Sequence, residues 1–268
     1  MKNKNAYIGV FDSGAGGLTV VKHIMEMMPD ENILYFGDTA HLPYGTKSEK
    51  QIKEFATNDV AFLNGFELKS LVIACNTADS VARETLIKEF DMPIYGVIDP
   101  AAKKAATVSK NGKIGIMATT ATVRSDAYAR RIRHYRKDAE VFSLACPLLV
   151  PLVENRRYKK EDIVVSTILQ EYLDQLTVHG IDTLVLGCTH YPLLIDAVQS
   201  LVPDITIVSS SEEAVINLKN SLEATRQISD TPGSERRFYV SDDADAFRKN
   251  AEVFLNEKLG SEVIQVSV

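Results

Sequence analysis

Two stretches decide the fold: Leu71-Val72-Ile73-Ala74-Cys75-Asn76-Thr77-Ala78 and Leu184-Val185-Leu186-Gly187-Cys188-Thr189-His190-Tyr191-Pro192. Each is a short apolar run that ends in a cysteine and passes into helix-starting residues. Unbroken apolar runs mark strands covered on both faces in a parallel sheet; half-covered strands alternate instead. The two cysteines stand 113 residues apart. Three other apolar runs recur in the same order at similar offsets. They pair 7–11 with 114–117, 33–36 with 141–144, and 94–97 with 205–208.

Helical patterns separate these runs. They are expected over 18–28, over 47–64 with Gly65 as a stop, over 163–178 before His179-Gly180, and from Pro192 onward. The alternation predicts an α/β fold of two similar, open, mostly parallel α/β halves, with the site in the cleft between them. The first half is expected to take residues 1–97 plus 209–268, and the second 98–208. The tail after 208 carries a helical pattern, an expected strand over 237–240 and a final helix.

Composition narrows the function. The chain has 268 residues, 45% hydrophobic and 25% charged, which excludes wholesale disorder. Its net charge of −6 gives no general attraction for phosphate backbones, so no nucleic-acid partner is expected. The basic run Arg130-Arg131-Ile132-Arg133-His134-Tyr135-Arg136-Lys137 reads as a solvated helix face. No leader-like stretch follows Met1-Lys2-Asn3-Lys4-Asn5, and the longest apolar run, 141–153, is broken by Pro147 and Pro151. No membrane partner is therefore expected. Three cysteines without a CxxC pair suggest neither a disulfide framework nor a zinc site, so no metal and a reducing cytoplasm are expected.

The chemistry gathers at strand ends. Cys75 and Cys188 each close a buried strand at the carboxyl edge, where open α/β sheets bind ligands. A following helix N-terminus would lower a thiol's pKa. His190, two residues past Cys188, could hold that thiol ionised. Cys146, among Leu144, Ala145, Leu148 and Leu149, reads as core filler. Asp12-Ser13-Gly14-Ala15-Gly16-Gly17 is neither a dinucleotide fingerprint nor a P-loop. It suits either a tight strand–helix turn or a small carboxylate, with Asp12 as a base or an ammonium partner. Tyr44-Gly45, after Pro43, could lay backbone N–H groups over a ligand or simply form a turn.

Two thiols on opposite faces of one small molecule would suit stereoinversion at a carbon bearing hydrogen. One thiolate removes the proton while the opposite thiol donates one, and reversal exchanges the roles. Backbone N–H and hydroxyl donors would clamp the carboxylate and stabilise the carbanion.

These residues carry a resemblance. Segments 11–20, 35–40, Pro43-Tyr44-Gly45, Ala74-Cys75-Asn76-Thr77-Ala78, Pro151-Leu152-Val153-Glu154, 187–193 and 238–242 come in one family's order and span most of the chain. The chain resembles the glutamate racemases, cofactor-independent two-cysteine enzymes of the aspartate/glutamate racemase superfamily. The resemblance implies that Cys75 abstracts the α-proton of D-glutamate and Cys188 that of L-glutamate. Asp12 would assist the first and His190 the second. Ser13, Tyr44, Gly45, Asn76, Thr77 and Thr189 would hold the carboxylates and ammonium, with Thr119 and Thr122 on a carboxylate and Glu154 near the ammonium. It further implies no cofactor, glutamate as the substrate, a homodimer, and D-glutamate supply for peptidoglycan in the bacterial cytoplasm. His41-Leu42, Ala118 and Asp79 depart from the family's usual residues. The rival readings are a related aspartate or other amino-acid racemase of the same superfamily, and a non-catalytic thiol or metal-binding module built on Cys75, Cys188 and His190.

Overall fold

The computed structural model describes residues 3–231 and 234–268. Met1 and Lys2, part of the leader-free N-terminus expected above, lie outside the described residues. The strands are β1 (Tyr7–Asp12), β2 (Ile33–Gly37), β3 (Leu68–Ile73), β4 (Ile94–Gly96), β5 (Lys113–Ala118), β6 (Glu140–Ala145), β7 (Thr183–Gly187), β8 (Thr206–Ser209), β9 (Arg236–Val240) and β10 (Val263–Gln265). The helices are α1 (Leu18–Met27), α2 (Glu49–Leu63), α3 (Asn76–Glu89), α4 (Ile98–Val108), α5 (Thr120–Arg124), α6 (Ala127–Tyr135), α7 (Leu149–Glu154), α8 (Ile163–Thr177), α9 (Ile195–Leu201), α10 (Ser210–Ala224) and α11 (Ala244–Leu255).

One sheet runs β10-β9-β2-β1-β3-β4 and the other β6-β5-β7-β8. Without β9 and β10, the first order becomes β2-β1-β3-β4, which is the second order strand for strand. The repeat read from the apolar runs is therefore a repeat of topology. Each neighbouring pair in both sheets is parallel. Parallel pairing forces a crossover helix between strands, so both faces are covered and the inner strands lose contact with water. All five residues of β7 and of β2 are buried. β6, at an edge, is exposed or half-buried along its whole length.

Register brings the polar strand ends together. Phe11 of β1 pairs with Phe36 of β2 and Ile73 of β3, so Asp12, Asp38 and Cys75 emerge at one edge. Ala118 of β5 pairs with Ala145 of β6 and Gly187 of β7, which sets Thr119, Cys146 and Cys188 at the corresponding edge. Helix starts are fixed by local chemistry. Ser48 and Gln51 form a capping box on α2, and the Thr119 hydroxyl accepts from the Thr122 N–H at the start of α5.

Two expectations need correction. The chain ends in β10 alongside β9, not in the final helix, α11. Val263 is the buried residue of this strand and its neighbours are exposed, so no long apolar run announces it. Pro192 lies in a 3-10 turn over Tyr191–Leu194 that precedes α9, so Cys188 is not followed directly by an α-helix. The basic run fits its reading as a solvated helix face: it lies on α6 and just past its end, with Arg130, Arg133, His134, Tyr135 and Lys137 exposed. There Arg131 is ion-paired with Asp99, and the Arg136 guanidinium donates to the Ser109 carbonyl. No helix among the described residues is long and apolar enough to cross a membrane.

Candidate active site

Between the two sheet edges lies a cavity of about 280 Å³. Both Cys75 and Cys188 line it, from opposite halves, as do Ser13, Tyr44, Gly45, Asn76, Thr77, Thr119, Glu154, Thr189 and His190. Asp12 and Thr122 do not reach its surface. They sit behind it, fully buried and 2% exposed respectively.

Cys75 caps the N-terminus of α3, and its thiol donates to the Ser13 hydroxyl at 3.5 Å. Sequence position alone suggested a lowered pKa. Instead burial, reinforced by the nearby Asp12 charge, pushes this thiol up to about 12. The bonds from Ser13 and the Ala78 N–H oppose the shift but do not overcome it. Removing a thiolate's hydration costs more than one helix end returns.

Cys188 stands against a cation. Its sulfur lies 3.9 Å from Nδ1 of His190, whose Nε2 is 3.3 Å from the Glu154 carboxylate. Burial disfavours the charged ring, yet the hydrogen bonds and charges of Cys188 and Glu154 outweigh it and raise His190 to about 10. Phe254 of α11 packs edge-on against the imidazole at 5.3 Å. The tail thus helps hold the ring, a role its sequence did not signal.

The glycine loop after β1 holds a carboxyl group, and that group is the protein's own Asp12. The Gly14 N–H donates to Asp12 Oδ2 at 2.9 Å, and the Thr189 hydroxyl donates to Oδ1 at 3.4 Å. Burial raises the Asp12 pKa, while His190 and these bonds pull it back. Gly16 has a different task. A Cβ there would come within 2.4 Å of the Thr189 hydroxyl and 2.5 Å of His190 Nδ1. The missing side chain is what lets the two halves meet at the Cys188 arm.

Between the halves, the hydroxyls of Thr77, Thr119 and Thr122 form a triangle with sides of 2.9, 3.0 and 3.4 Å. Gly45 packs on Thr119, and a Cβ there would stand 3.0 Å from the Thr119 Cβ. The Tyr44 ring points away from the cavity. Its hydroxyl donates to Asp38 at 2.6 Å and approaches Asp59 at 3.0 Å, both buried carboxyls. Burial and the Asp38 charge raise Asp59 well above the carboxylate range.

Several residues escaped the sequence reading. Asp38 and Asp59 anchor the Tyr44 loop but lie 21 residues apart, so no motif joined them. Leu42, Val150, Pro147 and Pro151 supply an apolar rim. Cys146, read as core filler, also lines the cavity, and its carbonyl accepts from the Tyr191 hydroxyl at 3.0 Å. Among the described residues, no group of three or more His, Cys, Asp or Glu side chains is arranged to hold a metal ion.

Comparison with known proteins agrees with this arrangement. Residues 8–217 match the family described as Asp/Glu/Hydantoin racemase. The glutamate racemase of Neisseria gonorrhoeae is 46% identical over 255 residues, covering 94% of this chain and 93% of that one. The glutamate racemase of Sulfurihydrogenibium is 41% identical, covering 97% of each chain.

The chain belongs to the glutamate racemases.

The family carries the same fold. The solved glutamate racemase isoform RacE1 of Bacillus anthracis superposes with a TM-score of 0.94 at 38% identity, over 99% of both chains. That of Francisella tularensis, solved in complex with D-glutamate, gives 0.92 at 35% identity over 99% of this chain and 98% of that one. This chain is accordingly an isomerase, an amino-acid racemase acting on glutamate.

Proposed function

We propose that this racemase inverts glutamate by two-base proton transfer, with Cys75 and Cys188 on opposite faces of the α-carbon and no cofactor. The observation that carries this is the presence of both thiols in one small cavity, each at the end of an equivalent strand. A cavity of about 280 Å³ is at the small end for ligand sites and suits an amino acid.

Cys75 takes the α-proton of D-glutamate while the Cys188 thiol protonates the other face; the reverse direction exchanges these parts. His190 holds its proton against Cys188 and is oriented by Glu154. Asp12 acts from behind the wall, fixing Thr189 through its hydroxyl. Ser13, Asn76, Thr77, Thr119, Thr189 and the backbone of Tyr44 and Gly45 hold the carboxylates. Thr122 steadies Thr119 and Thr77, and Glu154 also faces the ammonium. Charge on the carbanion gains from donors fixed in a site sheltered from water.

The sheets support a division into domains of 1–97 plus 209–268 and 98–208, with the site between them. The product D-glutamate would serve peptidoglycan synthesis in the cytoplasm, and a homodimer is the expected assembly.

The test is polarimetry of pure protein with L- and with D-glutamate, no cofactor added, and aspartate as control. Both glutamate enantiomers should lose optical rotation and take up solvent deuterium at the α-carbon. A requirement for pyridoxal phosphate, or equal turnover of aspartate, would overturn the proposal.

A further inference from the structure

Tyr128, on α6 of the second half, is 2% exposed and outside the cavity lining, and the two-thiol mechanism gives it no part. Its hydroxyl donates to Asn76 Oδ1 at 2.5 Å. Asn76 Nδ2 donates in turn to the Ser210 hydroxyl at 3.2 Å, and Ser210 passes its single proton to the Leu186 carbonyl at 3.0 Å. Ser210 also lies within hydrogen-bonding reach of Tyr128, so the three side chains form a closed cluster. The Leu186 carbonyl takes the Ser210 proton, which leaves the Ser210 oxygen to accept from the Asn76 Nδ2. The Asn76 amide is therefore fixed with its oxygen toward Tyr128 and its nitrogen toward Ser210. One amide hydrogen remains for the cavity that Asn76 lines.

The ring of Tyr128 has a second contact. A Cβ on Gly187 would stand 2.9 Å from the ring's Cε2, so the ring packs directly against the residue before Cys188. One side chain thus touches the residue that follows Cys75 and the residue that precedes Cys188, across the junction of the two halves.

We propose that Tyr128 is a positioning residue: it locks Asn76 as a hydrogen-bond donor to a substrate carboxylate and sets the spacing of the two thiol-bearing strand ends. Without its hydroxyl, the Asn76 amide can rotate and present its oxygen to the carboxylate, where like partial charges repel. The ring itself remains in Tyr128→Phe, so the spacing survives and the lost function is the grip on substrate. The proposal rests on the placement of glutamate between the thiols.

The experiment is steady-state racemisation by Tyr128→Phe in both directions, with glutamate binding measured by calorimetry. KM for both enantiomers and the calorimetric Kd should rise about tenfold, with kcat changed less than about threefold. Ser210→Ala, which frees the other end of the amide, should raise KM in the same sense. In an Asn76→Ala background the Tyr128→Phe substitution should add almost nothing, because the two act through one bond. Unchanged KM and Kd in Tyr128→Phe, or full additivity with Asn76→Ala, would overturn the proposal. A fall in kcat with KM intact would overturn it too, since that assigns Tyr128 to proton transfer. The outcome separates from the two-thiol mechanism: wild type that binds glutamate without racemising it refutes that mechanism, while the calorimetric comparison still judges Tyr128.

Discussion

Cys75 and Cys188 end equivalent strands, β3 and β7, yet their surroundings carry opposite charge. Behind Cys75 stand a buried carboxyl, Asp12, and a neutral hydroxyl, Ser13, and the thiol is pushed up to about 12. Beside Cys188 stands His190, raised to about 10 with Glu154 at its far nitrogen. Topological repetition placed the two sulfurs symmetrically, and the residues around them then broke the symmetry. The difference has a chemical use. A two-base inversion needs one proton donor and one acceptor at the same moment, and the unlike surroundings give the two thiols different proton partners.

The sharpest way to break the comparison is to remove one sulfur at a time. Cys75→Ser and Cys188→Ser should each lower racemisation by about 10³-fold or more in both directions by polarimetry. Exchange of the α-hydrogen with deuterated solvent should survive on one side only: with D-glutamate in Cys188→Ser and with L-glutamate in Cys75→Ser. Exchange that ignores the enantiomer would end the assignment of one thiol to each face.

A smaller effect is expected at the cation. His190→Asn should lower kcat/KM by about 100-fold, equally in both directions, because enantiomers have equal free energies. Wild-type activity should decline as pH rises through about 10, and the variant should lack that decline. Stability follows the same proton. A histidine raised from 6.5 to about 10 in the folded chain contributes fully below pH 6.5 and loses that contribution as pH rises to about 10. The Tm gap between wild type and His190→Asn should close over that window.

Alkylation sharpens the contrast with the enzyme intact. At pH 8, iodoacetamide should label Cys75 at least tenfold more slowly than a free cysteine, read by peptide mapping, since only the thiolate reacts and burial holds the Cys75 proton. Labelling of Cys75 as fast as a free cysteine would overturn the effect of its burial. Smallest of all should be Thr122→Val, which loses one hydroxyl behind the wall and should raise KM about threefold.

Much of this was legible in the sequence, for identifiable reasons. Strands buried on both faces write themselves as unbroken apolar runs, so the inner strands and their repeated order could be read directly. β10 could not, because only Val263 is buried in it. Cys75, Cys188 and His190 announced themselves by standing at strand ends. Asp59, Tyr128 and Ser210 did not, because each acts through a partner distant in the chain. The glycines of 14–17 looked like a cradle for a ligand, and only coordinates show Asp12 occupying it.

Local order in the chain determined the α/β class, the repeat and the two cysteine-bearing edges, since hydrophobic period and strand-end polarity are properties of consecutive residues. Tertiary structure alone decided the raised pKa of Cys75, the pairing of Cys188 with His190 and the orientation of the Asn76 amide. Burial and charge act through space, and Asp12, Cys75 and His190 become neighbours only after the halves close on one another.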